Sequence, residues 1–223
     1  MILSGDDSAR PARRSWRPDE PVAASAAPVF TVLSVCTGNI CRSPMAEQLL
    51  RAALGDATSP NGGPLFAFTS AGVRTRAGLP MDAMSARFSA QHGGDPAAHT
   101  SAVLDEAVVG GADLLLTMTR DHLVDASRRF PSLLLRGFTL LEFARVLPFV
   151  VREVPLPAIE DPAARLRAVV RLAAAHRGRA PRGEGDDIED PIGRSEAVHE
   201  RVAAQISAAV ADVSRDLRAL ARR

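Results

Sequence analysis

The chain has no lysine and no tyrosine, and only two cysteines and one tryptophan, in 223 residues. Two cysteines cannot build a disulfide scaffold or a four-cysteine zinc site. With no tyrosine, regulation by phosphorylation of the chain's own tyrosine is excluded. All 27 positive side chains are arginines, balanced by 26 carboxylates to a net charge of +1, which argues against a dedicated nucleic-acid or other polyanion binder. The arginine and alanine excess reads as genomic bias rather than as a binding surface. Long apolar runs are missing too. The most apolar window, Ser132–Val151, is broken by Arg136, Glu142 and Arg145, whereas a membrane span needs about 20 apolar residues in a row. The segment up to Trp16 has no apolar stretch of signal-peptide length. A soluble protein in a reducing, cytoplasmic setting is expected, with no membrane partner.

Hydrophobic residues make up 46% of the chain and charged residues 24%, enough apolar material for one packed domain. Residues 1–27, rich in Pro, Ala, Arg and Asp without periodicity, are expected to be a flexible tail in which Trp16 stands alone. From Phe30 the pattern alternates. Buried strands are predicted at 30–35, Leu65–Ser70, Asp113–Met118 and Ser132–Arg136. Helices are predicted after Ser43-Pro44, with Ser43 as cap, and at Met81–His92, Ser101–Val109, Asp121–Phe130 and Thr139–Leu147. This succession predicts an α/β domain with a parallel sheet. Past Val151 the pattern changes: a helix from Asp161-Pro162 to about Ala175, a mobile loop at 177–187, and a last helix from Glu196 to Leu220 whose apolar positions step by three or four.

The chemistry is carried by C-T-G-N-I-C-R-S, residues 36–43, between a strand and a helix. Ligands of open α/β sheets bind at the carboxyl ends of strands. Backbone N–H groups from Thr37 to Arg42 can turn inward around an anion, and the following helix adds its positive end. Gly38 and Asn39 tolerate the positive φ values that such a nest needs. Arg42 can grip two phosphate oxygens with its planar fork. Cys36, at the base of this field, is expected to ionise and act as a nucleophile, implying phosphoryl transfer through a phosphocysteine without a metal or other cofactor.

The segment C-T-G-N-I-C-R-S-P-M-A-E (36–47) resembles the signature loop of the low-molecular-weight protein tyrosine phosphatases. Ser70-Ala71-Gly72 with Gly78-Leu79-Pro80-Met81-Asp82, then His99, Asp113–Met118 with His122, and Asp190-Pro191 before the last helix are similar to further pieces of that family, in the same order. The likeness covers about 28–150 and 188–223. It implies a three-layer α/β/α sandwich on a four-stranded parallel sheet, with the phosphate-binding loop (Thr37, Gly38, Asn39, Ile40, Cys41, Arg42) after the first strand. It implies Cys36 as nucleophile, Arg42 as clamp, Ser43 as hydrogen-bond partner of the thiolate, and Asn39, Ser70 and His99 as a network shaping the loop. On the residues alone, His99 reads equally as a solvent-facing loop histidine, and Cys41 as a small apolar residue or as a resolving thiol; the resemblance implies the latter for Cys41.

The sequence departs from the family in three places. Ile192 follows Asp190-Pro191 where the family usually has an aromatic residue, residues 151–187 read as an insertion, and the tail has no counterpart. The tetrapeptide I-E-D-P occurs twice, at 159–162 and 188–191. Asp190 is expected to be the general acid, because Asp161-Pro162 runs straight into a strong helical segment and so reads as a helix cap. The implied substrate is a phosphotyrosine-containing protein. Phosphoarginine hydrolysis is the alternative on the same fold, disfavoured by Ile40 where that branch tends to carry Thr. Arsenate reduction is a further alternative, weakened because no cysteine follows Cys41 to relay a disulfide.

Overall fold

The computed structural model describes residues 29–183 and 185–223; the expected tail and Trp16 lie outside them. Four short strands, β1 (Phe30–Cys36), β2 (Phe66–Gly72), β3 (Leu114–Thr117) and β4 (Gly137–Thr139), form one sheet in the order β2-β1-β3-β4, every pair parallel. The chain leaves β1 for β2 on one side and later returns to place β3 on the other. The carboxyl end of β1 is therefore the point where the strand order reverses, the place where such sheets bind ligands.

Seven helices cover the sheet: α1 (Arg42–Leu54), α2 (Ala83–Gln91), α3 (Glu106–Gly110), α4 (Arg120–Arg129), α5 (Leu140–Glu153), α6 (Pro162–His176) and α7 (Glu196–Ala221). Alternate residues of the strands feed two cores, as expected for a sheet buried on both faces. Phe30, Val32, Leu114 and Leu116 join the larger core, with the apolar faces of α1, α5, α6 and α7. Leu33, Val35 and Leu115 point the other way, into a small core with Leu104, Val109, Ala126 and Leu133. The three-layer α/β/α arrangement expected from the sequence is present.

Several local expectations are corrected. Ser132–Arg136 is not a strand: Pro131–Leu135 forms a 3₁₀ turn that leaves Leu134 and Leu135 exposed, and the strand follows it. Gly137 opens that strand where a Cβ would lie 2.8 Å from both Leu123 Cδ1 and the Leu133 carbonyl, so only glycine fits. Of the helix expected over Ser101–Val109, only the part from Glu106 exists. Residues 102–104 instead bond to Gly72 through Gly72 N–H to Ala102 O and Leu104 N–H to Gly72 O, and the Asp105 side chain caps α3. Ser43 does not cap α1, which begins at Arg42 with Cys41 at the cap position; Pro44 still falls in the first turn, where no intrahelical N–H bond is lost. Ser195 precedes α7 without a capping side-chain bond. The expected mobile loop, 177–187, opens with a 3₁₀ turn, and Ala180 and Asp186 in it are buried. Residue 151, where the pattern was read as changing, lies inside α5.

Candidate active site

Residues 36–42 turn sharply from the end of β1 into α1. Asn39 takes φ 53°, the only non-glycine among the described residues in the left-handed region; Gly38, expected to share that conformation, does not. Asparagine tolerates this backbone better than most residues, and here its side chain is also fully engaged. Its Nδ2 donates to Ser43 Oγ (3.0 Å) and Ser70 Oγ (2.8 Å), and its Oδ1 accepts the Ala102 N–H (2.8 Å). His99 Nε2 donates to the Asn39 carbonyl at 2.8 Å. Ser70 in turn donates to Glu47 Oε2 at 2.6 Å. The structure thus brings together the three residues of the expected network and adds Glu47, which the sequence reading passed over.

The Cys36 sulfur sits inside this frame, accepting the Asn39 N–H at 3.3 Å and lying 3.0 Å from Ser43 Oγ. Because Asn39 already donates to Ser43 Oγ, that hydroxyl's own proton is left for Cys36; its alternative acceptor, the Ala71 carbonyl, is farther away at 3.5 Å. A hydroxyl and a backbone N–H thus both point at the one sulfur. Cys41 is different. Burial pushes its thiol up to about 12, against a hydrogen bond with Ser85 that pulls it down. At neutral pH it stays protonated and packs as a small apolar side chain.

Arg42 is 4% exposed. Its Nη1 donates to the Ile188 carbonyl (2.9 Å), its Nη2 pairs with Asp190 Oδ2 (2.7 Å), and its Nε is buried with no partner among the described residues. An unpaired guanidinium N–H in a buried place is costly, and a bound oxyanion would satisfy it. Cys36, Thr37, Gly38, Ile40, Cys41, Arg42, Asp190 and Ile192 enclose a cavity of about 120 Å³. A wider cleft of about 480 Å³ adjoins it along Thr37, Arg42, Arg74, His122 and Asp190. The smaller space has the Cys36 side chain in its lining, and the larger one shares Thr37, Arg42 and Asp190 with it.

Asp161 lines neither space: its Oδ2 accepts the Ala164 N–H at 2.7 Å, capping α6. His122 is the residue that sequence reading left without a role. Its Nε2 lies 2.8 Å from Thr37 Oγ1 and its Nδ1 2.8 Å from Thr119 Oγ1. Burial, and then the charge of Arg42, pulls the imidazole down to about 4, so the ring is neutral and buttresses the phosphate loop. The signal available was Thr119 three residues before His122, a helix-capping spacing.

A strand, a tight loop with a thiol at its base and a helix starting from that loop thus meet at the carboxyl end of a doubly covered parallel sheet. Residues 31–172 match the family model for low molecular weight phosphotyrosine protein phosphatase, and the chain belongs to that family. The chain is 40% identical over 104 residues to the probable low molecular weight protein-tyrosine-phosphatase EpsP of Ralstonia solanacearum, covering 47% of this chain and 66% of the relative, just under two thirds of its length. It is 34% identical over 114 residues to a protein-arginine-phosphatase of Geobacillus stearothermophilus, covering 51% and 71%. Among solved structures, the YwlE arginine phosphatase of the same organism superposes with a TM-score of 0.61 at 24% identity, covering 85% of this chain and 94% of that one, a likeness of fold.

Proposed function

We propose that this chain is a protein tyrosine phosphatase that works through a phosphocysteine, acting on phosphotyrosine-containing proteins in the cytoplasm. The observation that carries the reading is the set of groups around one small cavity: Cys36 Sγ with its donors, the buried Arg42 fork, and Asp190 across from them. The Cys36 thiolate attacks phosphorus in line and forms the S–P bond as the P–O bond to the phenol breaks. Asp190 gives its proton to the departing phenol oxygen. A water then attacks the phosphocysteine, Asp190 takes the proton back, and inorganic phosphate leaves with the thiolate restored. Arg42 and the loop N–H groups hold the equatorial oxygens throughout, so the charge stabilisation comes from fixed protein dipoles.

Ile40 and Ile192 line the cavity mouth. Together they make an apolar rim that suits a flat aromatic ring. The second reading, phosphoarginine hydrolysis, has support in the arginine-phosphatase relative; the aliphatic Ile40 speaks for the aromatic substrate. Residues 28–223 are the proposed catalytic unit, with 151–187 as an insertion and 1–27 as a tail.

The test is hydrolysis of p-nitrophenyl phosphate with a chelator present. Wild-type protein is expected to turn over, while Cys36→Ser and Arg42→Ala each remove almost all activity. Substantial turnover by Cys36→Ser would refute the phosphocysteine route.

A further inference from the structure

The residue that delivers the acid loop to the cleft lies four positions before the acid. Asp186 is buried, with only 4% of its side chain exposed, and it receives two guanidinium groups. Arg145 of α5 donates through Nη2 at 3.0 and 3.3 Å to its two oxygens, and Arg120 of α4 donates at 2.5 Å. Arg145 also donates through Nη1 to the Pro181 carbonyl at 2.5 Å. Burial alone would push the Asp186 carboxyl up; the two arginines overcome this and hold it below the ordinary carboxylate range.

From Asp186 onward the chain is anchored at nearly every residue. Asp187 Oδ1 accepts the Arg120 N–H (2.7 Å), the Ile188 N–H donates to the Met118 carbonyl at the end of β3 (2.8 Å), and the Ile188 carbonyl accepts from Arg42. Asp190 then meets Arg42. The long helical excursion through α5 and α6 must return to the cleft in register, and Asp186 is the buried charged anchor of that return, after Arg145 has already held the Pro181 carbonyl. Its partners belong to α4, which carries His122, and to α5, where the excursion begins.

We infer that Asp186, clamped by Arg145 and Arg120, is a positioning residue for the general-acid loop and sets where the Asp190 carboxyl sits over the leaving oxygen. The inference rests on Asp190 being the acid. Losing the clamp leaves the thiolate and phosphate loop intact but lets residues 187–190 drift, and a displacement of about 1 Å can cost on the order of a hundredfold in rate.

The experiment compares kcat/KM, which reports the steps up to release of the phenol, on a phosphotyrosine peptide, whose leaving group needs a proton, with kcat/KM on 2,4-dinitrophenyl phosphate, whose leaving group does not. Inorganic phosphate inhibition reports on the loop. Asp186→Asn is expected to lower kcat/KM on the peptide about ten- to a hundredfold, with a change of less than about threefold in kcat/KM on the activated ester and in the phosphate inhibition constant. Asp186→Glu is expected to recover part of the loss. Placed on Asp190→Asn, Asp186→Asn should add less than about threefold, because residues acting through one group are not additive. Arg145→Met carries the same test should Asp186→Asn fail to fold, a failure that loss of phosphate binding reveals. Equal losses on both substrates, or full additivity with Asp190→Asn, would overturn the positioning role. If Asp190→Asn itself shows no dependence on the leaving group, the acid assignment falls and the positioning role with it; if Asp190→Asn shows it and Asp186→Asn does not, only the positioning role falls.

Discussion

The Asp190 carboxylate and the Arg42 guanidinium meet at 2.7 Å, yet one is 46% exposed and the other 4%. The arginine is built into the floor and the aspartate is hung over it from a loop. A phosphoryl oxygen entering the cavity competes with Asp190 for the same Nη2. On the proposed mechanism, that competition would release the Asp190 carboxyl from Arg42 and leave it free to turn toward the leaving oxygen.

Asp190 and Asp161 are predicted to separate cleanly by mutation. Asp190→Asn should lower kcat/KM on phosphotyrosine by about 10²–10⁴, with a smaller effect on activated aryl phosphates. Asp161→Ala should cost about 1 kcal/mol of stability through the lost α6 cap, with kcat nearly unchanged. Steady-state kinetics and urea unfolding on both variants check this, and the reverse pattern would move the acid to Asp161.

Asn39 should be the most sensitive polar position of the loop. Asn39→Ala removes two donated bonds, strands the Ala102 N–H and keeps a left-handed backbone without the residue that tolerates it. A loss of about 2–4 kcal/mol is expected. Asn39→Gly relieves the backbone and should lose less. Denaturant midpoints of the two variants, compared at constant m value, give the answer; equal losses would show that the φ of Asn39 costs nothing.

His122 makes stability depend on pH in a definite direction. Its folded value, about 4, lies below the ordinary 6.5, so between those limits the unfolded chain binds a proton that the folded chain refuses. The contribution is complete above pH 6.5 and is lost as pH falls toward 4, reaching about 3 kcal/mol at most. His122→Gln should flatten the stability curve over that window by one proton's worth of slope. An unchanged slope would mean that the imidazole is already charged in the folded protein.

Ile40→Thr should shift selectivity from phosphotyrosine toward phosphoarginine. Ile40 lines the cavity mouth beside Ile192, and exchanging one apolar contact there for a hydroxyl is expected to change the kcat/KM ratio by about 10–200-fold. Side-by-side kcat/KM values on the two substrates measure it. A wild-type preference for phosphoarginine would refute the aromatic reading.

The sheet and the tight Cys36–Ser43 loop that follows its first strand were legible because each left a local mark. Apolar runs named three strands, and the octapeptide from Cys36 to Ser43 named the loop. What stayed hidden depended on partners distant in sequence. The 133–135 leucine run looked like a strand, but it forms a 3₁₀ turn and the pairing begins only at Gly137. Ser43 looked like a cap because serine before proline usually is one, yet its hydroxyl turns to Cys36. His122, Glu47 and Asp186 reach their partners across 85, 23 and 41 or more positions, and no pattern within one element announces such pairs.

The two cores are unequal, and the phosphate loop leans on both. Asn39 is tied to Ser43 of α1, on the thickly backed face, while Thr37 is tied through His122 to α4, on the thin one. Local opening costs least where few apolar groups are buried. In hydrogen exchange, α4 and the 131–135 turn should therefore open ahead of α1. When they do, the loop loses its Thr37 brace while Cys36 keeps its donors, so breathing of the thin layer would slow phosphate capture before it disturbed the nucleophile.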